Sequence, residues 1–132
     1  MSKMFYYLFR GNRAKMGKTP IHPKASKVQV TSEALKGLNL PPGVTVEAYD
    51  YDGTLKELES WYKDQMPKYG WENRESGSKE EFWASLWKKD EGDGLLLMSG
   101  KDSLKGIDTS RKPLLIMKGN WRALHDIVFS PN

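Results

Sequence analysis

The stretch from Thr54 to Trp71, TLKELESWYKDQMPKYGW, limits the possible folds more than any other part of this chain, because its start, period and end agree. The Thr54 hydroxyl can accept one of the unpaired backbone N–H groups at a helix start, and Glu57 stands at the capping-box spacing from it. Apolar side chains then recur with the period of a helix, at Leu55, Leu58, Trp61, Tyr62, Met66 and Tyr69. The pattern predicts one amphipathic helix over about residues 54–69, packed through this stripe on a core.

Two residues mark the end of this helix. Gly70 supplies the left-handed backbone conformation that commonly terminates a helix. Pro67 comes earlier, removes a backbone donor and disfavours helical geometry at Met66. We therefore expect the helix to kink or end near Met66.

Segments with strand patterns flank the helix. Val44–Tyr51 alternates apolar and polar residues as a half-buried strand does, and so does KVQVT at 27–31. Trp71–Glu75 leads out of the helix and is interpreted as a further strand. The continuous apolar run Pro113–Lys118 is typical of a buried central strand.

The end of the chain combines two patterns. Trp121–Phe129 begins as a short helix. We expect the chain to continue as an extended segment over 126–130.

The segment Ser78–Lys89, SKEEFWASLWKK, fits two structures, and its local signals favour the helix slightly. As a helix it has a capping box at Ser78 and Glu81, and its charges suit the helix dipole. As a strand it places Trp83 and Trp87 on one face and returns through the Gly-rich turn at 90–94 into a second strand. The sequence alone leaves both open.

Length and composition indicate a single globular domain. The chain has 132 residues and 38% apolar content, which is enough for a hydrophobic core without disulfide or metal cross-links. It contains no Cys. We divide it into an N-terminal arm, residues 1–19, and one α+β domain, residues 20–132. The predicted fold is a mostly antiparallel sheet of about five to six strands with the main helix on one face.

The order of these segments resembles a small α+β domain found in many bacterial and archaeal lipoproteins and secreted proteins. That domain opens on a Y-P-G-A motif, to which IHPKASKV at Ile21–Val28 is similar, with His22 and Lys24 in place of Tyr and Gly. Its helix carries the pattern W/F-Y-x-x-x-M/L-x-x-x-G-W, matched here by Trp61, Tyr62, Met66, Gly70 and Trp71.

The resemblance covers about residues 20–120 and concerns structure. It implies that Phe82–Met98 is the first hairpin of a strand meander, which favours the strand interpretation of Ser78–Lys89. It implies no active site.

Charge is unevenly distributed. Residues 1–30 hold seven bases and no acid, whereas the rest of the chain has a net charge of −3. The arm combines aromatic residues with bases, a composition suited to single-stranded nucleic acid or to an anionic membrane surface. An alternative function is therefore nucleic-acid binding through the arm, with Arg10, Arg13, Lys15 and Lys18 as the candidate contacts.

Chemistry-bearing patterns are weak. The two histidines, His22 and His125, lie far apart in sequence, and no nucleophile elbow occurs. The run Asp90–Gly94 starts like a Ca²⁺ loop but has Lys101 where the bidentate Glu belongs. We predict a non-enzymatic protein with no cofactor and no metal site.

Aromatic residues are in excess, with five Trp. If Ser78–Lys89 is a strand, then Trp83 and Trp87 either form an exposed surface for a protein partner or small ligand, or are covered by a helix or by the arm. The main functional hypothesis is a binding module that uses this aromatic sheet surface.

Targeting signals are not visible in the chain as written. No apolar run approaches the roughly 20 residues of a transmembrane helix, and MFYYLF at 4–9 is shorter than the apolar part of a signal peptide. We expect a cytoplasmic protein if the sequence stands as written, and an extracytoplasmic one if a leader has been removed.

Overall fold

One antiparallel sheet of six strands organises the protein, in a computed structural model that describes residues 19–79, 81–90, 92–101, 106–107 and 109–129. The strands lie in the order β1-β2-β6-β5-β4-β3. Their bounds are β1 Ala25–Val28, β2 Thr45–Tyr51, β3 Glu72–Lys79, β4 Phe82–Lys89, β5 Asp93–Gly100 and β6 Lys112–Asn120.

The helices of the described residues are α1 Ser32–Leu38, α2 Leu55–Gln65 and α3 Trp121–Phe129, and a 3₁₀ turn at Met66–Tyr69 extends α2. The predicted α+β class, with a mostly antiparallel sheet and one main helix packed on it, is confirmed.

Helix α2 begins and ends where its sequence indicates. The Thr54 hydroxyl accepts the backbone N–H of Glu57 at 3.1 Å. The α-helical part stops at Gln65, because Pro67 in the next turn has no N–H to continue the ladder. Gly70, with φ of 89°, closes the 3₁₀ turn.

The two faces of the sheet carry different helices. On one face, Leu58, Tyr62 and Met66 of α2 and the 3₁₀ turn pack in one cluster with residues of the central strands such as Leu95 and Leu114. On the other face, Ala34 of α1 and Leu124 of α3 pack with residues that include Leu86, Leu96, Leu115 and Met117. The central strands of the sheet are therefore covered on both faces.

This double cover decides the ambiguous segment. Phe82–Lys89 is strand β4, paired with β5 in a hairpin, and Asp90 takes a positive φ of 54° in the turn. Trp83 and Trp87 face α2, whereas Leu86 faces α3. A strand buries both apolar sides of this segment, and a helix would bury only one stripe, so the helical alternative is wrong.

The expected extended segment over 126–130 is wrong as far as it is described, because Trp121–Phe129 is one helix. Asn120 starts it, since its side chain accepts the backbone N–H of Arg122 at 2.9 Å. Gly94 of β5 allows the start of α3 to lie close to the sheet, because a Cβ at this position would be only 2.8 Å from the Trp121 Cα. Leu124 is fully buried as a result.

Pro113–Lys118 is confirmed as part of an internal strand, since β6 lies between β2 and β5. The strand expected at 27–31 is shifted, because β1 ends at Val28 and Val30 forms an isolated bridge with Ile107.

A candidate ligand groove

A groove of about 410 Å³ opens between the C-terminal half of α2 and the strands β3 and β4. We call it the indole groove, because three tryptophans line it. Its lining consists of Trp71, Trp83 and Trp87 together with Glu59, Lys63, Pro67, Glu72, Asn73, Ser76 and Ser85.

The groove exists because large and small side chains meet across two paired strands. Asn73 lies opposite Trp87, and Ser76 lies opposite Ser85. Paired residues project on the same face of a sheet, so the short side chains of β3 stand beside the long indoles of β4. This difference in side-chain length leaves an open space next to α2.

The tryptophans form the floor of the groove rather than an open surface. Trp83 is 1% exposed and Trp87 is 2% exposed. The Tyr62 ring of α2 stacks on Trp83, with centroids 6.0 Å apart and an interplanar angle of 20°. Trp83 and Trp87 are therefore covered rather than exposed. In the described residues, helix α2 covers them.

Hydrogen bonding distinguishes the three indoles. The Trp87 Nε1 donates to the Ser85 Oγ at 2.7 Å in a buried position. The Nε1 atoms of Trp71 and Trp83 are buried and have no hydrogen-bond partner among the described residues. Leaving a buried donor unpaired costs about 1–3 kcal/mol, and both of these tryptophans line the same groove.

Charged side chains surround the opening. Glu59 and Lys63 of α2 stand on one side, and Glu72 of β3 stands on the other, where Arg74 holds its carboxylate at 3.1 Å. The Lys89 ammonium lies 5.7 Å from the Trp71 ring centroid. The groove thus combines an apolar floor with a polar rim, the composition of small-molecule sites.

The two histidines are not brought together. His22 packs its ring against Tyr51 and Trp61, at centroid distances of 5.1 and 5.0 Å, and therefore lies on the α2 side. His125 lies on α3, which covers the other face of the sheet.

His22 fastens the chain just before β1. Its Nδ1 accepts the backbone N–H of Lys24 at 3.0 Å, which assigns the ring proton to Nε2. Burial, and then the charge of Lys24, lower the pKa of His22, and Glu57 opposes this in part. The site holds a neutral imidazole in a structural contact.

Two aspartates near the end of β2, Asp50 and Asp52, stabilise the fold. Asp50 accepts hydrogen bonds from the Ser110 hydroxyl at 2.8 Å and from the Arg111 backbone at 3.0 Å. Asp52 pairs with the Arg111 guanidinium at 2.9 Å. These contacts tie the end of β2 to the start of β6. Within the part of the chain that the structure describes, no group of three His, Asp or Glu side chains is arranged to hold a metal ion.

A second aromatic surface was not indicated by the sequence. Along α3, the rings of Trp121, His125 and Phe129 follow one another at centroid distances of 5.7 and 4.6 Å. The Lys88 ammonium lies 5.5 Å from the Trp121 ring centroid. The four-residue spacing of these rings indicates a shared face only if the segment is helical. The expectation of an extended segment over 126–130 therefore hides this surface.

The remaining candidate residues, Arg10, Arg13, Lys15 and Lys18, lie outside the described residues. The segment Met4–Phe9 lies outside them as well.

Comparisons with known proteins add no relative. A scan of family models, a search of curated proteins and a search of solved structures each give no match. The resemblance to a lipoprotein-associated domain thus stays a prediction. In the described part of the chain, every helix is too short or too polar to span a bilayer.

Proposed function

We propose that this protein is a non-enzymatic binding module that holds an apolar ligand group with a hydrogen-bond acceptor in the indole groove. The observation that carries the proposal is the pair of buried, unpartnered indole donors, Trp71 Nε1 and Trp83 Nε1, beside a cavity of about 410 Å³. Ligand cavities commonly measure about 300–1,000 Å³ and combine apolar walls with a few polar groups.

Chemical complementarity defines the ligand group. An apolar ring or chain suits the Pro67 and tryptophan side chains of the lining, and a carbonyl or carboxylate oxygen is the kind of group that an indole N–H binds. Glu59 and Lys63 place one charge of each sign at the rim on the side of α2. Benzamides combine a ring with a carbonyl acceptor, and they are therefore suitable probes.

The indole N–H groups give a direct readout. We expect titration with a benzamide set to shift the ¹H–¹⁵N resonances of the Trp71 and Trp83 side chains, because these donors gain an acceptor. Trp121 lies on the other face of the sheet and serves as the internal control. Affinity for fragments of this size is expected in the millimolar range.

A matched pair of variants separates the groove from the rest of the molecule. Trp83→Phe keeps an aromatic ring but removes one donor, and we expect it to weaken benzamide binding. Trp121→Phe makes the same chemical change outside the groove and should leave binding unchanged. The proposal fails if no benzamide shifts Trp71 or Trp83, or if both variants bind as the parent does.

A second candidate function is nucleic-acid binding through the basic arm, and we propose it as the alternative. It is supported by the five bases of residues 1–19 and by the ring series Trp121, His125 and Phe129 on α3, because exposed rings beside cations stack nucleobases.

This alternative predicts salt-dependent binding of a fluorescein-labelled ten-nucleotide oligo(dT). Deleting residues 1–19 should abolish binding if the arm carries it, whereas Phe129→Leu should weaken it if α3 contributes stacking. Binding that is independent of salt, or absent in the full chain, would rule the alternative out.

A further inference from the structure

Strand β3 is a long, open edge of the sheet. In the described residues it pairs only with β4, and all eight of its residues, Glu72–Lys79, are exposed. An edge strand presents backbone N–H and C=O groups that no neighbour satisfies, which makes it a template for another strand. The opposite edge, β1, has only four residues and offers a shorter template.

The side chains of β3 select the kind of strand that can be added. Glu72, Arg74, Glu75 and Lys79 place charges of both signs along it, and the register is irregular between Asn73 and Glu75. Charges and bulges discourage association of apolar edges. Backbone pairing with a polar or mixed segment remains compatible with this surface.

The edge and the indole groove are continuous. Asn73 and Ser76 of β3 line the groove on the side that is away from α2. A strand added to β3 lies about 4.8 Å beyond it, and its side chains on one face repeat at about 7 Å. Ser76 is short, so a large side chain of the added strand can reach across it into the groove.

We propose that β3 binds an extended peptide segment of a partner protein as a seventh strand, with one apolar side chain of that segment in the indole groove. Pairing with an open edge plus a pocket for alternate side chains is an established mode of peptide recognition. The inference rests on the proposed function, because it identifies the ligand group of the groove as a peptide side chain.

A second copy of this chain is a poorer occupant. Its own β3 has the sequence ENRESGSK, which contains no large apolar side chain to fill the groove. The partner segment therefore differs from β3 in carrying at least one such residue among polar neighbours.

The test starts with selection of a displayed library of random nine-residue peptides on the full chain. We expect enriched peptides to share one apolar position. A selected peptide is then synthesised with one backbone N-methyl group at each position in turn. Methylation should weaken binding about tenfold at every second residue, whose N–H pairs with β3, and should have little effect at the residues between them. Tolerance of methylation at every position would overturn the proposal.

Two substitutions on opposite faces of β3 provide the matched control. Ser76→Phe fills the groove from the side of the strand, and we expect peptide affinity to fall at least about tenfold. Glu75→Phe has the same size, but Glu75 pairs with Leu86 and projects on the other face, so affinity should change less than about twofold. Both positions are exposed, and urea unfolding verifies that both variants are folded.

The outcomes distinguish the two proposals. If benzamides shift Trp71 and Trp83 but no peptide is enriched, the groove proposal stands and the added strand does not. Sedimentation tests the other occupant. If the chain forms a dimer that prevents peptides from binding β3, and if Ser76→Phe leaves that dimer intact, then a second copy occupies β3 and the partner segment is refuted.

Discussion

Ser85 and Ser76 lie opposite each other on β4 and β3, both line the indole groove, and their alanine variants should differ sharply in stability. Ser85 is 3% exposed, and its hydroxyl accepts the Trp87 indole N–H at 2.7 Å. Ser76 is exposed, and its hydroxyl accepts only a surface hydrogen bond from Asn73 at 2.9 Å among the described residues.

The magnitude follows from the burial of Trp87, which is 2% exposed. Ser85→Ala removes one oxygen and leaves the indole N–H without an acceptor, which costs about 1–3 kcal/mol of unfolding free energy. A domain of this size has about 5–15 kcal/mol in total. The exposed Ser76→Ala change should stay within about 0.5 kcal/mol of the parent.

Urea unfolding followed by fluorescence measures both values. A loss of about 2 kcal/mol lowers the midpoint by about 1 M urea when the slope is about 2 kcal/mol/M. The Trp87 indole proton should also move upfield in Ser85→Ala, because its hydrogen bond is gone. Equal midpoints for the two variants would show that Ser85 does not pin Trp87, and the groove floor described above would be incorrect.

Three further predictions concern the fold. Leu58→Ala should destabilise the protein by about 3 kcal/mol in urea unfolding, because it removes three buried carbons at about 0.8 kcal/mol each and leaves a cavity; a loss below about 1 kcal/mol would contradict the packing of α2. Burial opposes ionisation of Asp50, but hydrogen bonds from Ser110 and Arg111 prevail and lower its pKa, so its stabilising contribution is present above about pH 4 and is lost as the pH falls further. Asp50→Asn should reduce the decrease of the unfolding free energy below about pH 4, and an unchanged decrease would show that Asp50 is not its source. The pKa of His22 is lowered, so the unfolded chain takes up its proton first and stability falls as the pH drops below about 6.5; in thermal melts His22→Asn should remove this dependence, and its persistence would assign it to another group.

The main helix was predictable because its signals are local. Thr54, Pro67 and Gly70 determine the ends of α2 and its 3₁₀ turn by backbone chemistry that needs no tertiary contact. The apolar stripe between them is then sufficient to place the helix on a sheet.

Segments whose structure depends on distant partners were not predictable in the same way. Phe82–Lys89 has helix caps and strand alternation at once, and the covers on its two faces come from α2 and α3, which are about twenty to forty residues away in sequence. At the end of the chain, β-branched Ile127 and Val128 favour a strand locally. Packing of Leu124 over Gly94 keeps that segment helical.

The candidate site was partly visible from the sequence. Strand alternation places Trp83 and Trp87 on one face, but whether that face is open depends on where α2 packs. Trp71 joins them because the 3₁₀ turn ends at Gly70, directly beside the start of β3. Ser85 and Ser76 gave no sequence signal, because a small polar residue becomes informative only opposite a large one.

The most direct measurement of the central claim is an intermolecular NOE spectrum of the protein with a bound benzamide. The indole groove predicts contacts from the ring protons of the ligand to the side chains of Trp71 and Trp83, and none to Trp121 or Phe129. Contacts that appear only at Trp121 and Phe129 would instead place the binding surface on α3 and contradict the assignment of the groove.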